Sequence, residues 1–489
     1  MEEILRFDRR ALERARISRD PRFDGKFFIA VTSTRIYCRP ICPSPSSKPM
    51  NVRYYPTAAS AAEAGFRPCL RCRPEAAPGS PAWLGTSTVV RRAMRLIEEG
   101  FVDEESIESL AARLGIGPRH LHRLFLRHVG ASPIAVAQTR RLHFAKRLID
   151  DTRMPITQIA LSSGFGSIRR FNTAFHNAFR RAPRDFRKQG TWATNGASSD
   201  EVVLKLSYRP PYDWAHVASF LAARAIPGIE VVDESGYART LRQGDANAII
   251  HVRPVQGANA LELKVCGGSP AALLQISSVA RRVFDLASDP ARIMVAFGSD
   301  TLLAPLVKCR PGLRIPGEWD PFECAVRAIL GQGVSPAVAL NYTTRLVARL
   351  GQRVSADGAL THLFPTAAVL SAADLEDLGF PRARAGALKA LAGSVVTGRL
   401  SFNGPVEEIV AKLEELPGAG SGVAHYVALR ALSEPDAFPT SDLILRRAVG
   451  INGSPVTPRT LEQMSEAWRP WRGYAAMHLW SSSTSAPKR

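Results

Sequence analysis

Apolar residues fall in two rhythms along this chain. Between residues 201 and 266, "VVLKLSYRPPYDW", "AIIHVRP" and "LELKV" alternate apolar and polar positions, the two-residue period of half-buried strands, which predicts a small β-containing subdomain. From about residue 270 onward Ala, Leu, Arg and Val recur at helical spacing. Upstream, "IESLAARLGIGPRHLHRLF" puts Ile107, Leu110, Leu114, Leu121, Leu124 and Phe125 on one helical face, and "ITQIALSSGFGSIRRFNTAF" repeats the scheme with Ile156, Ile159, Phe171 and Phe175. In each copy a small residue precedes a glycine by four positions, Ala111 with Gly115 and Ala160 with Gly164, and the copies lie 49 residues apart. The small residue lets two helices cross closely and the glycine makes the sharp turn, which predicts a duplicated helix-turn-helix. "PEAAPGSPAWLGTS" (74–87) and "QGTWATNGASSD" (189–200) lack periodic apolar residues and read as linkers, and "SSSTSAPKR" reads as a disordered tail.

Length and charge sharpen this picture. A chain of 489 residues is too long for one hydrophobic core, so several domains are expected. No run of about 18 apolar residues could span a bilayer, and "MEEILRFDRR" does not read as a secretion signal. The expected location is the cytoplasm, in association with the nucleoid. Residues 1–190 hold 34 Lys and Arg against 17 Asp and Glu, whereas residues 191–489 hold 30 against 27. A basic first part suited to phosphate contacts thus precedes a near-neutral part suited to a more specific surface.

Seven cysteines in a large chain argue for reduced thiols rather than a disulfide framework. Cys38 and Cys42 are separated by three residues, and Cys69 and Cys72 by two, with 26 residues between the pairs. This is the spacing of two thiolate hooks closing on one tetrahedral Zn²⁺. The metal either staples a domain too small for its own core or also holds a sulfur as a nucleophilic thiolate. Thr34, Arg35, Arg39, Arg67, Arg71 and Arg73 crowd the hooks with donors suited to phosphate oxygens.

"FFIAVTSTRIYCRPICPSPSS" with "GFRPCLRCRP" resembles the N-terminal zinc module of Ada-type adaptive-response proteins. The resemblance implies that Cys38 accepts a methyl group from a DNA methyl phosphotriester while Cys42, Cys69 and Cys72 complete the zinc site. It also implies that Thr34, Arg67 and Arg71 contact DNA, although each is equally open to a solvated surface role. Residues 88–188, with the two helical hairpins and the closing "FRRAPRDFRK", resemble the AraC-type DNA-binding domain. The second helices then offer Arg119, His120, His122 and Arg123 in one copy and Ser167, Arg169, Arg170 and Asn172 in the other, for base edges or phosphates. The bland alternative for each arginine is a solvated helix face.

"LEELPGAGSGVAHYVALRAL" places Gly418 and Gly420 in a tight turn ahead of a helix, where backbone N–H groups could cradle a phosphate. Asp442 follows Gly420 by 22 residues, at another helix start. Together with "PPYDWAHVASFLAARAI", "RPGLRIPGEWDPFECAVRAILGQ" and "WRPWRGYAAMHLW", this region resembles the AlkA-type 3-methyladenine DNA glycosylases of the helix-hairpin-helix superfamily. The resemblance makes Asp442 the catalytic carboxylate, with a helix N-cap as its bland alternative. Phe220, Trp319, Tyr426 and Trp480 are the candidate walls of a base pocket, or else plain core. The chain departs from the family pattern at Gly422, where a Trp is usual, and at Gly333, where a Leu wedge is usual. The pocket is then wider, and Gln332 is the candidate to fill the gap a flipped nucleotide leaves. Gly422 also occupies the place of the Schiff-base lysine of strand-cutting relatives, so a monofunctional hydrolase is expected.

The expected fold is therefore multidomain, mainly α with α+β parts: a small four-cysteine zinc domain (1–78), an AraC-type double helix-turn-helix (88–188), a small β-sheet subdomain (201–285) and a helix-hairpin-helix α-bundle (286–481). The expected function is DNA alkylation repair fused to its own regulation. Alkylated and promoter double-stranded DNA are the partners, with RNA polymerase a further partner of an activator, no membrane, and a monomeric chain. The rival reading is a zinc-containing transcription factor with an inactive glycosylase-like module. No "PCHR" stretch occurs, so an O6-methylguanine transferase half is not expected.

Overall fold

The computed structural model describes residues 8–45, 47–78, 88–187, 201–244, 246–354, 358–450 and 454–485. The chain divides into two compact units: Met1–Pro210 with Gln243–Arg281 and Leu286–Asp289, and Pro211–Arg242 with Arg282–Asp285 and Pro290–Arg489. Among the described residues no helix is long and apolar enough to cross a membrane.

The first unit opens with helix α1 (Arg9–Ser18), started by Asp8, whose carboxylate accepts the Ala11 N–H. Strands β1 (Phe28–Val31), β2 (Ile36–Cys38), β3 (Val52–Tyr55) and β4 (Arg67–Pro68) form a sheet in the order β3-β1-β2-β4, with β2 and β4 parallel. Alternate residues of β1 serve opposite faces. Ile29 packs with Leu12, Ala15, Phe27, Val52 and Tyr54. Phe28 and Ala30 pack with Tyr37, Tyr55, Phe66 and the helix α2 (Ala58–Glu63). Clusters of six and seven buried residues are small for an independent core, which is the situation a metal staple relieves.

The helices that follow include α3 (Ile107–Arg113), α4 (Pro118–His128), the long α5 (Pro133–Asp151), α6 (Ile156–Ser162) and α7 (Ile168–Phe179). The pairs α3–α4 and α6–α7 are the two expected hairpins. Gly115 and Gly164 turn them at φ of +70° and +75°, a left-handed conformation that favours glycine. Leu110, Ala111, Leu121 and Phe125 are fully buried, as are Ile159, Ala160, Phe171 and Phe175. Ile107, Leu114, Leu124 and Ile156 are half-buried at the rim. Asp103, in the short helix Phe101–Glu104 just ahead of the first hairpin, accepts from Arg140 of α5 at 2.7 Å and Arg141 at 2.6 Å. Strands β5 (Glu201–Ser207), β6 (Ala246–Pro254) and β7 (Ala260–Gly267) are antiparallel, with β7 between the other two.

The second unit contains the hairpin Glu230–Asp233 with Gly236–Gln243 and the helices α8 (Trp214–Ala222), α9 (Pro321–Gly331), α10 (Gly420–Arg430), α11 (Leu443–Ala448) and α12 (Arg472–Ser485). Its centre holds a buried charge network. Arg239 reaches Glu323 at 2.9 Å, Arg327 bridges Glu230 and Glu323, and Arg430 reaches Glu318 at 2.9 Å. Burial alone would raise the Glu230 carboxyl, but the Arg327 and Arg239 guanidiniums outweigh it and hold it down at about 2.

Two segment expectations are corrected. Pro74 and Glu75 are buried in a short turn packed on α5, so the stretch beginning at 74 is part of the fold, while 79–87 and 189–200 lie outside the described residues. The tail is helical through Ser485 because α12 continues into it, and residues 486–489 lie outside the described residues.

Candidate functional site

The four thiols converge. Cys38 ends β2, and the chain turns back at once, with the Cys42 N–H donating to the Arg39 carbonyl at 3.1 Å. Parallel pairing of β4 with β2 delivers the other hook, whose Cys69 N–H donates to the Tyr37 carbonyl at 2.9 Å. All four sulfurs lie within 4.8 Å of one another. A tetrahedron with metal–sulfur bonds of about 2.3 Å has edges of about 3.8 Å, so one Zn²⁺ fits with small adjustments. In the absence of a metal the four thiols share protons through hydrogen bonds, which push the Cys38 thiol up and pull the Cys69 thiol down. Four adjacent sulfurs thus hold their negative charge together only around a cation. Cys69 and Cys72 are buried, whereas Cys38 and Cys42 are partly exposed.

The surrounding cations divide into two groups. Arg39 is buried, paired with Asp24, and donates to the Cys72 carbonyl at 3.1 Å, while its backbone N–H reaches the Cys72 sulfur at 3.3 Å. Arg73 is spent on Glu75, Asp150 and Asp151. These two hold the fold around the hooks, which corrects their assignment as phosphate donors. Arg35 covers the Phe66 ring at 5.1 Å. Thr34 and Arg71 are exposed and Arg67 is half-buried, leaving these three beside the centre and open to solvent.

On the second helices of the hairpins, Arg119, His120, His122 and Arg123 of α4 are exposed, as are Arg169, Arg170 and Asn172 of α7. Ser167 is engaged instead as the α7 N-cap, accepting the Arg170 N–H.

In the second unit, Gly418 and Gly420 adopt φ of +79° and +61°, so the turn before α10 depends on glycine. A Cβ on Gly418 would approach that of Ala387 to 2.8 Å, and one on Gly420 would stand 3.8 Å from the Gln332 amide nitrogen. Gln332 therefore lies against the hairpin, with its carbonyl accepting Arg384 at 2.5 Å. Gly333 has φ of +68° and open space around it.

Asp442 caps α11, its Oδ1 accepting the Leu445 N–H at 2.8 Å and the Trp480 indole N–H at 3.1 Å. Capping and an active carboxylate are thus compatible in one residue, since Asp442 is only half-buried. The Trp480 ring lies 6.4 Å from that of Tyr426. The Tyr426 hydroxyl accepts from Arg430, which also covers Phe220 at 4.6 Å, while Arg224 covers Phe220 at 3.8 Å. Phe220, Tyr426, Trp480 and Asp442 therefore form one connected, partly exposed set. Trp319 does not join it. It is buried, stacks on Tyr237 at 6.4 Å and meets Phe284 edge-on. Sequence reasoning missed Arg224 and Arg430, whose signal was their spacing: each follows the ring it holds by four residues, one helical turn. Ser441 was missed too. A Cβ on Gly422 would meet its Oγ at 2.7 Å, so the space left by Gly422 is occupied by the residue before Asp442.

Residues 11–75 match the family model for the metal binding domain of Ada, residues 110–189 that for a helix-turn-helix domain, and residues 203–320 that for the AlkA N-terminal domain. A Mycobacterium tuberculosis protein named "Probable bifunctional transcriptional activator/DNA repair enzyme AlkA" is 41% identical over 474 residues, 96% of this chain and 95% of that one. The DNA-3-methyladenine glycosylase 2 of Escherichia coli (strain K12) is 38% identical over 57% of this chain and 96% of its own length. A 3-methyladenine DNA glycosylase from Archaeoglobus fulgidus superposes with a TM-score of 0.51 at 20% identity, over 57% of this chain and 98% of that one, which shows a shared fold. The cysteine cluster, the paired hairpins and the Asp442 set each fall in the part of the chain that its relatives match, and the chain belongs to the family of bifunctional transcriptional activator/DNA repair enzymes of the AlkA type.

Proposed function

We propose that this protein excises alkylated bases such as 3-methyladenine from double-stranded DNA by hydrolysing the N-glycosidic bond, and that its first unit is a stoichiometric methyl acceptor and promoter-binding activator. The observation that carries the excision reading is the fixed position of Asp442, held by two N–H donors beside the Tyr426 and Trp480 rings. An N-alkylated purine is already positively charged and leaves readily. Stacking between aromatic faces favours such an electron-poor base, and the Asp442 carboxylate stabilises the developing sugar cation and takes a proton from the attacking water. The amides of the Gly418–Gly420 turn, at the start of α10, hold a backbone phosphate without regard to sequence. Gln332, next to that turn, fills the gap left by the flipped nucleotide.

In the first unit Zn²⁺, when bound, keeps the four cysteines as thiolates at neutral pH. Cys38, partly exposed, attacks the methyl carbon of a phosphotriester. A sulfur–carbon bond forms, the oxygen–carbon bond breaks and the phosphodiester leaves as an anion. Thr34, Arg67 and Arg71 hold the DNA backbone during the transfer. The cluster loses one negative charge, so its repulsion from DNA falls and the Arg119, Arg123, Arg169 and Arg170 faces engage a promoter more tightly.

Incubating the zinc-loaded protein with DNA rich in methyl phosphotriesters tests the acceptor. Intact mass is expected to rise by about 14 Da on a peptide containing Cys38, and a Cys38→Ser chain is expected to show no gain. An unmodified wild-type protein would remove the sensor from the reading.

A further inference from the structure

The first unit holds a cavity of about 330 Å³ that neither the acceptor nor the excision chemistry uses. Its walls carry four cations, Arg39, Arg73, Arg147 and Lys205, against two carboxylates, Asp24 and Asp151. Both carboxylates are already engaged, Asp24 by Arg39 and Asp151 by Arg73. Among the described residues Arg147 has no carboxylate in ion-pair contact, since Asp151 and Glu75, the acids that act on it, are both paired with Arg73. Arg147, on α5, is only 6% exposed. Its hydrogen bond is to the Lys205 carbonyl at 3.3 Å, and it has an aromatic contact with Phe144 at 5.8 Å. A guanidinium carries five donors, of which this hydrogen bond uses one, and Arg147 lines the cavity. Burial pushes the Arg147 guanidinium down from its usual range, and Asp151 and Glu75, both already paired with Arg73, offset only part of that, as expected of a cation held in low dielectric without an acid of its own. Lys205 stands exposed at the rim on β5. A second arginine, Arg281, is depressed to about 9 by burial and then by Arg147, so the positive field extends behind the cavity wall.

We propose that this cavity is a binding site for a phosphate group, clamped by the Arg147 guanidinium from α5 and closed by the Lys205 ammonium from β5. A net charge of two positive units on the lining matches a phosphate monoester dianion, and the planar fork of an arginine matches its oxygens. Two sources share this chemistry: inorganic phosphate and a small phosphorylated metabolite, of which a nucleoside 5′-monophosphate is the simplest probe.

Calorimetric titration of the full-length, zinc-loaded protein tests the site, with sodium phosphate and with a nucleoside 5′-monophosphate at ionic strength fixed by chloride. One saturable site per chain is expected. Arg147→Gln is expected to weaken it by at least about tenfold, the loss of a charge-assisted hydrogen bond. Lys205→Ala, at an exposed position that folding does not need, is expected to weaken it in the same direction. Tighter binding of the nucleotide than of phosphate would identify a phosphorylated metabolite as the ligand, and the reverse would identify free phosphate. The proposal is overturned if wild type shows no saturable binding beyond the chloride control. It is equally overturned if Lys205→Ala and a folded Arg147→Gln protein both bind as tightly as wild type.

Discussion

Replacing Asp442 by Asn separates chemistry from folding at one position. The side-chain oxygen of Asp442 accepts from the Leu445 N–H at 2.8 Å and from the Trp480 indole at 3.1 Å. Asparagine is as good an N-cap as aspartate and offers an oxygen to the same donors, so stability is expected to change by only a few tenths of a kcal/mol. What disappears is the negative charge. A carboxylate about 4 Å from a unit positive charge, at an effective dielectric of about 20, is worth about 4 kcal/mol. Lost from the transition state, that corresponds to about a thousandfold in rate. The assay is single-turnover release of N-alkylated purines from methylated duplex DNA, alongside thermal unfolding of both proteins. Alanine provides the contrast, because it loses the cap as well and is expected to cost about 1 kcal/mol of stability. If the Asn protein, with an unchanged melting point, releases base within tenfold of wild type, Asp442 is a helix cap and the excision reaction is not driven by its charge.

Three further outcomes follow from particular contacts. Gly422→Ala gains helix propensity in α10 but forces a methyl to 2.7 Å from Ser441 Oγ, so base release is expected to fall several-fold and to recover when Ser441→Ala is added; no recovery in the double variant would break the link between these positions. Arg169→Ala on the exposed face of α7 is expected to lower the slope of log affinity against log salt by about 1 for promoter-type duplexes, read by fluorescence anisotropy, and an unchanged slope would show a solvated side chain. His143 donates to or accepts from the Tyr37 hydroxyl at 2.9 Å, and burial, followed by Arg147, lowers its pKa from 6.5 to about 4. The unfolded chain therefore binds this proton below about pH 6.5 while the folded chain refuses it until about 4, so stability is lost as pH falls through that window, by up to about 3 kcal/mol. Urea unfolding at pH 7 and 4.5 should show a smaller acid loss in His143→Gln than in wild type.

The parts legible in the sequence are those whose physics is local. Two cysteine hooks need short spacings, and a helical hairpin needs a small residue and a glycine a few positions apart, so Cys38 to Cys72 and Ala111 to Gly164 could be read directly. The partners of long side chains could not. Arg39 and Arg73 look like free phosphate donors until the fold brings Asp24 to the first and Asp151 to the second, across 15 and 78 residues of sequence. Trp319 shares its aromatic character with Phe220, Tyr426 and Trp480, and only packing on Tyr237 and Phe284 assigns it to the core. Composition misled at 74–78 and at 481–485. Proline, alanine and serine are common in linkers and tails, yet Pro74 and Glu75 are buried against α5 and α12 carries its helix to Ser485.

Both proposed reactions place a negative group against a polyanion, and the two units meet that difficulty differently. The cysteine centre carries a formal charge of about −2 with Zn²⁺ bound, and the first part of the chain sets a large cationic excess against it, 34 basic to 17 acidic residues up to position 190. Arg39 and Arg73, committed to carboxylates, contribute little to that field, so attraction rests on exposed arginines such as Arg71, Arg119 and Arg169. The remainder of the chain has almost no excess, 30 against 27. There a single carboxylate, Asp442, is offset by N–H dipoles rather than by cations. It receives two N–H groups, and on the proposed function the amides of the glycine turn before α10 would hold the DNA backbone. Dipoles aimed at fixed points act at short range and are screened less by salt than a diffuse field of surface charge. On the proposed function, long-range attraction to a duplex would thus come mainly from residues 1–190. Discrimination of a damaged base would then, on the same proposed function, fall to contacts made after the nucleotide has left the stack, at the Tyr426 and Trp480 rings.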